Sequence, residues 1–135
     1  MTTYLVVGVA SGLLFALLDG LINANPLGRR INEPYRPIAR TSINLVAGTV
    51  IDILYGLAMA GLFLLVRPAL PGGAGALPGV AFGFIAWFFR GLMNVLSQWI
   101  MFTIPIATLV YTMLTGLVEM MVLGLFYGMA FRSFP

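Results

Sequence analysis

A single arginine inside an apolar segment constrains this chain more than any other feature. Residues 81–94 read AFGFIAWFFRGLMN, a run apolar enough for a lipid bilayer that carries Arg90 in its middle. An unpaired arginine at the centre of a membrane helix costs about 2.5–3.5 kcal/mol on insertion scales. The other apolar segments contain Asp19, Asp52 and Glu119, which are suitable partners. The pattern therefore predicts a helical membrane bundle with a charged interior.

The composition supports lipid as the solvent of this chain. Hydrophobic residues make up 61% of the 135 residues and charged residues 8%, whereas water-facing domains contain about 25% charged residues. We therefore expect one integral membrane domain over residues 1–135. Cys and His are both absent, which excludes disulfides, thiolate chemistry and the usual ligands of haem and copper. We expect no cofactor, no metal and no nucleic acid partner.

Four apolar segments have the length that a membrane helix needs. A helix crosses about 30 Å of hydrocarbon with about 20 residues, and the candidate spans cover about residues 4–22, 43–66, 80–102 and 106–130. The predicted fold is an all-α, polytopic bundle of four transmembrane helices. Aromatic residues near the predicted span ends are expected to act as interfacial anchors: Tyr35, Trp99, Phe102, Phe131 and Phe134.

The first and third spans share a spaced pattern. Ala10, Gly12, Gly20, Leu21 and Asn23 recur at the same spacing as Ala81, Gly83, Gly91, Leu92 and Asn94. This echo favours two duplicated helical hairpins related by an axis along the membrane normal. The alternative is coincidence, because glycine, leucine and alanine are common in any membrane helix.

Polar residues recur at helical spacing in every span, so each helix has one polar face that should turn away from lipid. The side chains expected to line the interior are Asn23, Asn44, Asn94, Gln98, Thr112 and Thr115. Close approach of the helices is favoured by the spacings Gly8-xxx-Gly12 and Gly124-xxx-Gly128, either within one bundle or between two copies.

The charged residues differ in depth. At 1.5 Å per residue, Asp52, Arg90 and Glu119 lie near mid-membrane, and Asp19 lies about one turn inside the end of the first span. We expect Arg90 to pair with Asp52, Glu119 or both. One arginine cannot neutralise two carboxylates, so one of them should be protonated or face a hydrated cavity. The cluster is either a relay or solute site, or a buried ion pair that holds the helices in register.

The first loop holds the polar part of the sequence. Its basic residues are Arg29, Arg30, Arg36 and Arg40. They are expected to bind anionic lipid headgroups or an acidic partner, or to act only as topology determinants. The arginine bias places this loop in the cytoplasm and both termini on the opposite side. Three prolines in and before the loop favour an extended segment, and Thr41-Ser42 is a candidate N-cap for the second span.

Two functions fit these observations. The first is permeation or transport of a small solute or proton through the charged interior. The second is a non-catalytic accessory or scaffolding subunit, packed against copies of itself or a larger membrane complex. No motif for phosphate cradling or nucleophilic hydrolysis occurs, so we do not expect an enzyme. A lipid-headgroup enzyme that uses carboxylates and arginines is the remaining alternative.

Overall fold

A computed structural model describes residues 1–133, and these residues form an all-helical bundle. The elements in chain order are α1 (Thr2–Ala24), α2 (Pro26–Ile31), a 3-10 helix (Glu33–Ile38), α3 (Leu45–Val66), a short 3-10 helix (Arg67–Ala69), α4 (Ala76–Trp87), a π-helix (Phe88–Leu92), α5 (Met93–Met101) and α6 (Ile106–Ala130). The elements α4, π-helix and α5 follow one another without a break and form the third long helix.

Four of these helices are long and apolar enough to cross a membrane: Thr2–Ala24, Leu45–Ala69, Ala76–Met101 and Ile106–Ala130. Large apolar side chains cover the outside of the bundle, including Leu65 and Ile100, which are each 78% exposed. Such a surface is compatible with lipid and not with water. The prediction of a multi-pass membrane protein with a four-helix bundle is confirmed.

Glycines bring α1 and α3 into backbone contact. A Cβ added at Gly56 would meet the backbone of Gly8 and Gly12, so a larger residue has no room there. The spacing of Gly8 and Gly12 therefore serves packing within this bundle.

The same device joins α4 to α6. A Cβ at Gly124 would meet the backbone of Gly79 and Gly83, and one at Gly128 would meet Gly75 and Gly79. The bundle thus consists of two tightly packed helix pairs that use equivalent glycine contacts.

An aromatic core fills the end of the bundle remote from the arginine-rich loop. The Phe63 ring contacts Phe82, Tyr127 and Phe131 at centroid distances of 5.3, 5.9 and 6.1 Å. Tyr127 Oη donates to Ser11 Oγ at 2.9 Å, and Ser11 Oγ donates to the Gly8 carbonyl of its own helix. Both buried hydroxyls therefore have hydrogen-bond partners. This half of the bundle is closed.

The aromatic residues predicted as interfacial anchors divide into two groups. Trp99 and Phe102 are 61% and 58% exposed near the end of α5, as an anchor requires. Phe131 is fully buried in the aromatic core, so its prediction was wrong; the chain turns back onto Phe63 at the end of α6. Phe134 lies outside the described residues.

The first loop is helical, and the prediction of an extended segment was wrong. Pro26 is the first residue of α2 and Pro34 is the second residue of the following 3-10 helix, and at these positions a missing N–H breaks no helical bond. Asn25 caps α2, because its Oδ1 accepts a hydrogen bond of 2.8 Å from the Gly28 N–H.

Side chains from the third and fourth long helices hold this loop against the bundle. Thr108 Oγ1 donates to the Ile31 carbonyl at 2.6 Å, and Tyr35 Oη donates to Gln98 Oε1 at 2.7 Å. The loop is therefore a structured cover at one end of the helices.

Asn44 has a different role from the one predicted. Its Oδ1 accepts a hydrogen bond of 3.0 Å from the Ala47 N–H, so it is the N-cap of α3, and its side chain is exposed. It lines no interior face, and the cap predicted at Thr41-Ser42 lies two residues too early. Asn at the start of a helix satisfies a free backbone donor, and this local bond fixes its place.

Candidate functional site

A polar cavity of about 480 Å³ lies between α1, the π-helix with the start of α5, and α6. The loop contributes Asn32 and Tyr35 to its mouth. The remaining lining residues are Asp19, Ile22, Asn23, Arg90, Gly91, Asn94, Tyr111, Thr112, Thr115, Gly116 and Glu119. The cavity thus runs from the loop end of the bundle inward to two charged residues.

Arg90 and Glu119 meet at the inner end of this cavity. Arg90 Nη1 donates to Glu119 Oε1 at 3.3 Å. The Glu119 side chain is 5% exposed, whereas that of Arg90 is 45% exposed. Arg90 lies about 16 Å from the end of α5 at the helical rise per residue, so the contact is close to mid-bundle. A carboxylate so deeply buried depends on this single partner for its charge.

Two neighbouring aromatic rings, 4.7 Å apart, contact the Arg90 guanidinium. Its Cζ lies 4.7 Å from the Phe15 ring centroid and 5.1 Å from that of Tyr55. Each cation–π contact contributes about 0.5–1 kcal/mol. The sequence reasoning missed both rings, although they are spaced one helical turn from Asp19 and Asp52 and so share their faces.

A π-helical turn carries Arg90. The Met93 N–H bonds to the Phe88 carbonyl, five residues back, and Arg90 is at the centre of this turn. The Trp87 indole lies against Gly91 and donates from Nε1 to the Met113 carbonyl at 3.0 Å. Single π turns inside α-helices occur often at functional sites, because they redirect the side chains that follow. No residue pattern in the sequence indicated this turn.

Three polar residues of the third long helix were predicted to face the interior, and the cavity separates them. Arg90 and Asn94 line it, as predicted. Gln98 does not line the cavity, and its Oε1 accepts a hydrogen bond from the Tyr35 hydroxyl at the mouth. Gln98 therefore belongs to the contact between the loop and α5.

Hydroxyls of α6 form one wall of the cavity. Thr112 Oγ1 donates to the Thr108 carbonyl at 2.9 Å, and Thr115 Oγ1 donates to the Tyr111 carbonyl at 2.7 Å. Their protons are used within the helix, so these oxygens offer only lone pairs to the cavity.

The outer part of the cavity is lined from α1 and the loop. Asn23 Nδ2 donates to Asp19 Oδ1 at 3.2 Å, and Asn32 Nδ2 donates to Asn23 Oδ1 at 3.2 Å. Asp19 is exposed at this level. A polar path therefore leads from the mouth past Asp19 towards Glu119.

Asp52 is close enough to interact electrostatically with Asp19 and Arg90, but it makes no direct contact with the site. Its side chain does not line the cavity, and within residues 1–133 no arginine nitrogen lies within 4.0 Å of its carboxylate. Of the two partners predicted for Arg90, the structure brings Glu119 into contact and leaves Asp52 outside.

A basic depression adjoins the mouth of the cavity. It is lined by Arg29, Arg30 and Arg36 and shares Asn23, Asn32 and Tyr35 with the cavity. One weak pair, Arg36 with Glu33 at 3.7 Å, lies among these exposed arginines, and Arg40 is outside the depression. The entrance therefore carries an excess of positive charge.

No known protein family matches this chain, and neither a curated protein nor a solved structure shows significant similarity to it.

Proposed function

We propose that this protein binds a small polar solute in the cavity and moves it, or a proton, across the bilayer. The observation that carries the proposal is a cavity that opens beside the loop and ends on Glu119 and Arg90 at mid-bundle. Ionisable residues inside membrane helices are expensive, and their usual role is in a solute or proton path.

The closed half of the bundle supports transport over a simple pore. The cavity is open at the loop end, and the rings of Phe63, Phe82 and Tyr127 fill the opposite half. A transporter that exposes its site to one side at a time requires such an asymmetric state. The α1–α3 and α4–α6 pairs, each joined by glycine contacts, are suitable rigid units for rocking between two such states.

In this mechanism Glu119 and Arg90 exchange partners. A charged solute that binds Arg90 or Glu119, or a proton that binds Glu119, weakens the ion pair between the two side chains, whose contact distance is 3.3 Å. The net charge at mid-bundle changes as a result. The hydroxyl wall formed by Thr112 and Thr115 supplies acceptors along the way.

Asp52 provides a matched control for a test in proteoliposomes. We expect wild-type protein to move protons or a solute above the level of empty liposomes under a pH gradient, with a panel of small cations and anions. Glu119→Gln should abolish this flux, because it removes the buried charge in the cavity. Asp52→Asn removes a carboxylate of another helix that does not line the cavity, and it should retain the flux.

Folding must be measured on the same preparations, by helicity and elution in gel filtration. If wild-type protein moves nothing, transport is wrong and the accessory-subunit function replaces it. If Asp52→Asn loses flux as Glu119→Gln does, the assignment of the path to this cavity is wrong.

A further inference from the structure

The basic depression at the mouth of the cavity has a volume of about 550 Å³ and an excess of positive charge. Three arginines line it, Arg29, Arg30 and Arg36, against one carboxylate, that of Glu33. Within residues 1–133, Arg29 and Arg30 form no ion pair, and the pair of Arg36 with Glu33 is long, at 3.7 Å, and exposed. Asp19 lines the adjoining cavity and not the depression, and counting it still leaves the arginines in excess.

The folded loop fixes the places from which these arginines extend. Arg29 and Arg30 belong to the last turn of α2, and Arg36 belongs to the 3-10 helix that follows. Hydrogen bonds from Thr108 to the end of α2 and from Tyr35 to α5 tie both short helices to the bundle. Because the backbone is ordered before any partner binds, less conformational entropy is lost on binding than in a disordered basic segment.

The loop also carries exposed apolar side chains. It joins two membrane-spanning helices and therefore lies at the level of the lipid headgroups. Leu27, Ile38 and Ile43 in this stretch are 58%, 82% and 78% exposed. Apolar groups beside arginines are typical of segments at the membrane interface, where the apolar groups enter the lipid and the charges reach the phosphates. Charge alone fits an acidic protein equally well, and the apolar residues favour a lipid surface.

We propose that the basic depression binds the headgroup of an anionic phospholipid, whose phosphate is held by Arg29, Arg30 and Arg36. Planar guanidinium groups bind phosphate oxygens through paired hydrogen bonds, and anionic lipids attract basic clusters next to membrane helices. A choline headgroup would bring a further positive charge to three arginines and is disfavoured. Binding requires no flux, so the proposal goes beyond the proposed transport and does not depend on it.

Native mass spectrometry of the full-length protein in neutral detergent counts the lipids that stay bound. The protein is titrated with phosphatidylglycerol and, separately, with phosphatidylcholine of the same acyl chains. We expect one phosphatidylglycerol to bind about fivefold or more tightly than phosphatidylcholine. Glycerophosphoglycerol has the same headgroup without acyl chains, and it should give no adduct at the concentration at which phosphatidylglycerol saturates the depression.

Two variants with the same change of charge test where the headgroup binds. Arg30→Gln and Arg40→Gln each remove one exposed arginine from the loop, but Arg40 does not line the depression. We expect Arg30→Gln to weaken phosphatidylglycerol binding by about fivefold or more, because a guanidinium in contact with the phosphate is lost. Arg40→Gln should bind within about twofold of wild type, because its charge is separated from the lipid by screening solvent. Helicity and elution in gel filtration verify that both variants are folded.

The proposal is overturned if phosphatidylcholine binds as tightly as phosphatidylglycerol. It is also overturned if Arg40→Gln loses as much affinity as Arg30→Gln, since the lipid would then respond to the charge of the whole loop and not to the depression. An adduct with glycerophosphoglycerol at the same concentration would replace the lipid by a soluble phosphate ester. Because flux is not measured, a failure of transport in proteoliposomes leaves these outcomes unaffected.

Discussion

Removal of Arg90 should destabilise the bundle more than removal of its partner's charge. Arg90→Met leaves the carboxylate of Glu119, whose side chain is 5% exposed in the wild type, without its hydrogen-bond donor. Breaking a fully buried pair costs about 3–5 kcal/mol. Because the Arg90 side chain is 45% exposed, we expect a loss near the lower end, about 3 kcal/mol, including the contacts with Phe15 and Tyr55.

The opposite change is milder for a structural reason. Glu119→Gln keeps an oxygen that can accept from Arg90, and the half-exposed guanidinium retains its two aromatic contacts. Side-chain hydrogen bonds in membrane bundles contribute about 0.6 kcal/mol on average and up to about 1.7 kcal/mol. We therefore expect a loss of about 1 kcal/mol. The double variant Arg90→Met with Glu119→Leu should recover most of the stability, because no charge then stays buried without a partner.

The assay is equilibrium unfolding in mixed micelles with increasing mole fraction of sodium dodecyl sulfate, followed by helicity. The two single variants and the double variant form one cycle with the wild type. An equal loss in Arg90→Met and Glu119→Gln would refute the reasoning from burial. An Arg90→Met variant as stable as wild type would show that the contact between Arg90 and Glu119 does not stabilise the bundle.

Two further predictions concern packing and orientation. Gly56→Ala should destabilise the bundle by about 1–3 kcal/mol in the same assay, because its new Cβ meets the backbone of Gly12. Gly48→Ala in the same helix has open space around it and should be neutral or slightly stabilising. A comparable loss of stability in Gly48→Ala would show that the cost does not come from the contact between α1 and α3. For orientation, we expect cysteines introduced at Asn32 and Gly73 to react with an impermeant reagent from the cytoplasmic and outer sides respectively, and the reverse pattern would invert the topology.

Local properties of the chain were predictable, and the helices show why. Apolar runs of sufficient length dictate membrane helices, since lipid leaves no other partner for backbone groups. The fourth span, predicted at residues 106–130, coincides with α6, Ile106–Ala130. Helical spacing also placed Thr112, Thr115 and Glu119 on one face, and all three line the cavity. Duplication of the hairpins stays a prediction, although the two helix pairs pack through similar glycines.

Asn44 shows the limit of this local reasoning. An asparagine at the start of a span fits both a polar face and a helix cap, and the spacing of polar residues does not separate the two. The bond from the Ala47 N–H to its Oδ1 decides in favour of the cap. The loop prolines pose the same ambiguity, since Pro34 is compatible with an extended segment and with the first turn of a helix.

The sequence by itself determined that Arg90 needs a partner, because a lone charge in an apolar helix is too costly. Only the tertiary structure decided that Glu119 contacts Arg90 directly and that Asp52 does not. That choice depends on the relative height and rotation of the helices, which is set by backbone contacts such as that of Gly56 with Gly12 and by the π turn at Arg90. These contacts join residues far apart in the chain, and no spacing along one helix encodes them.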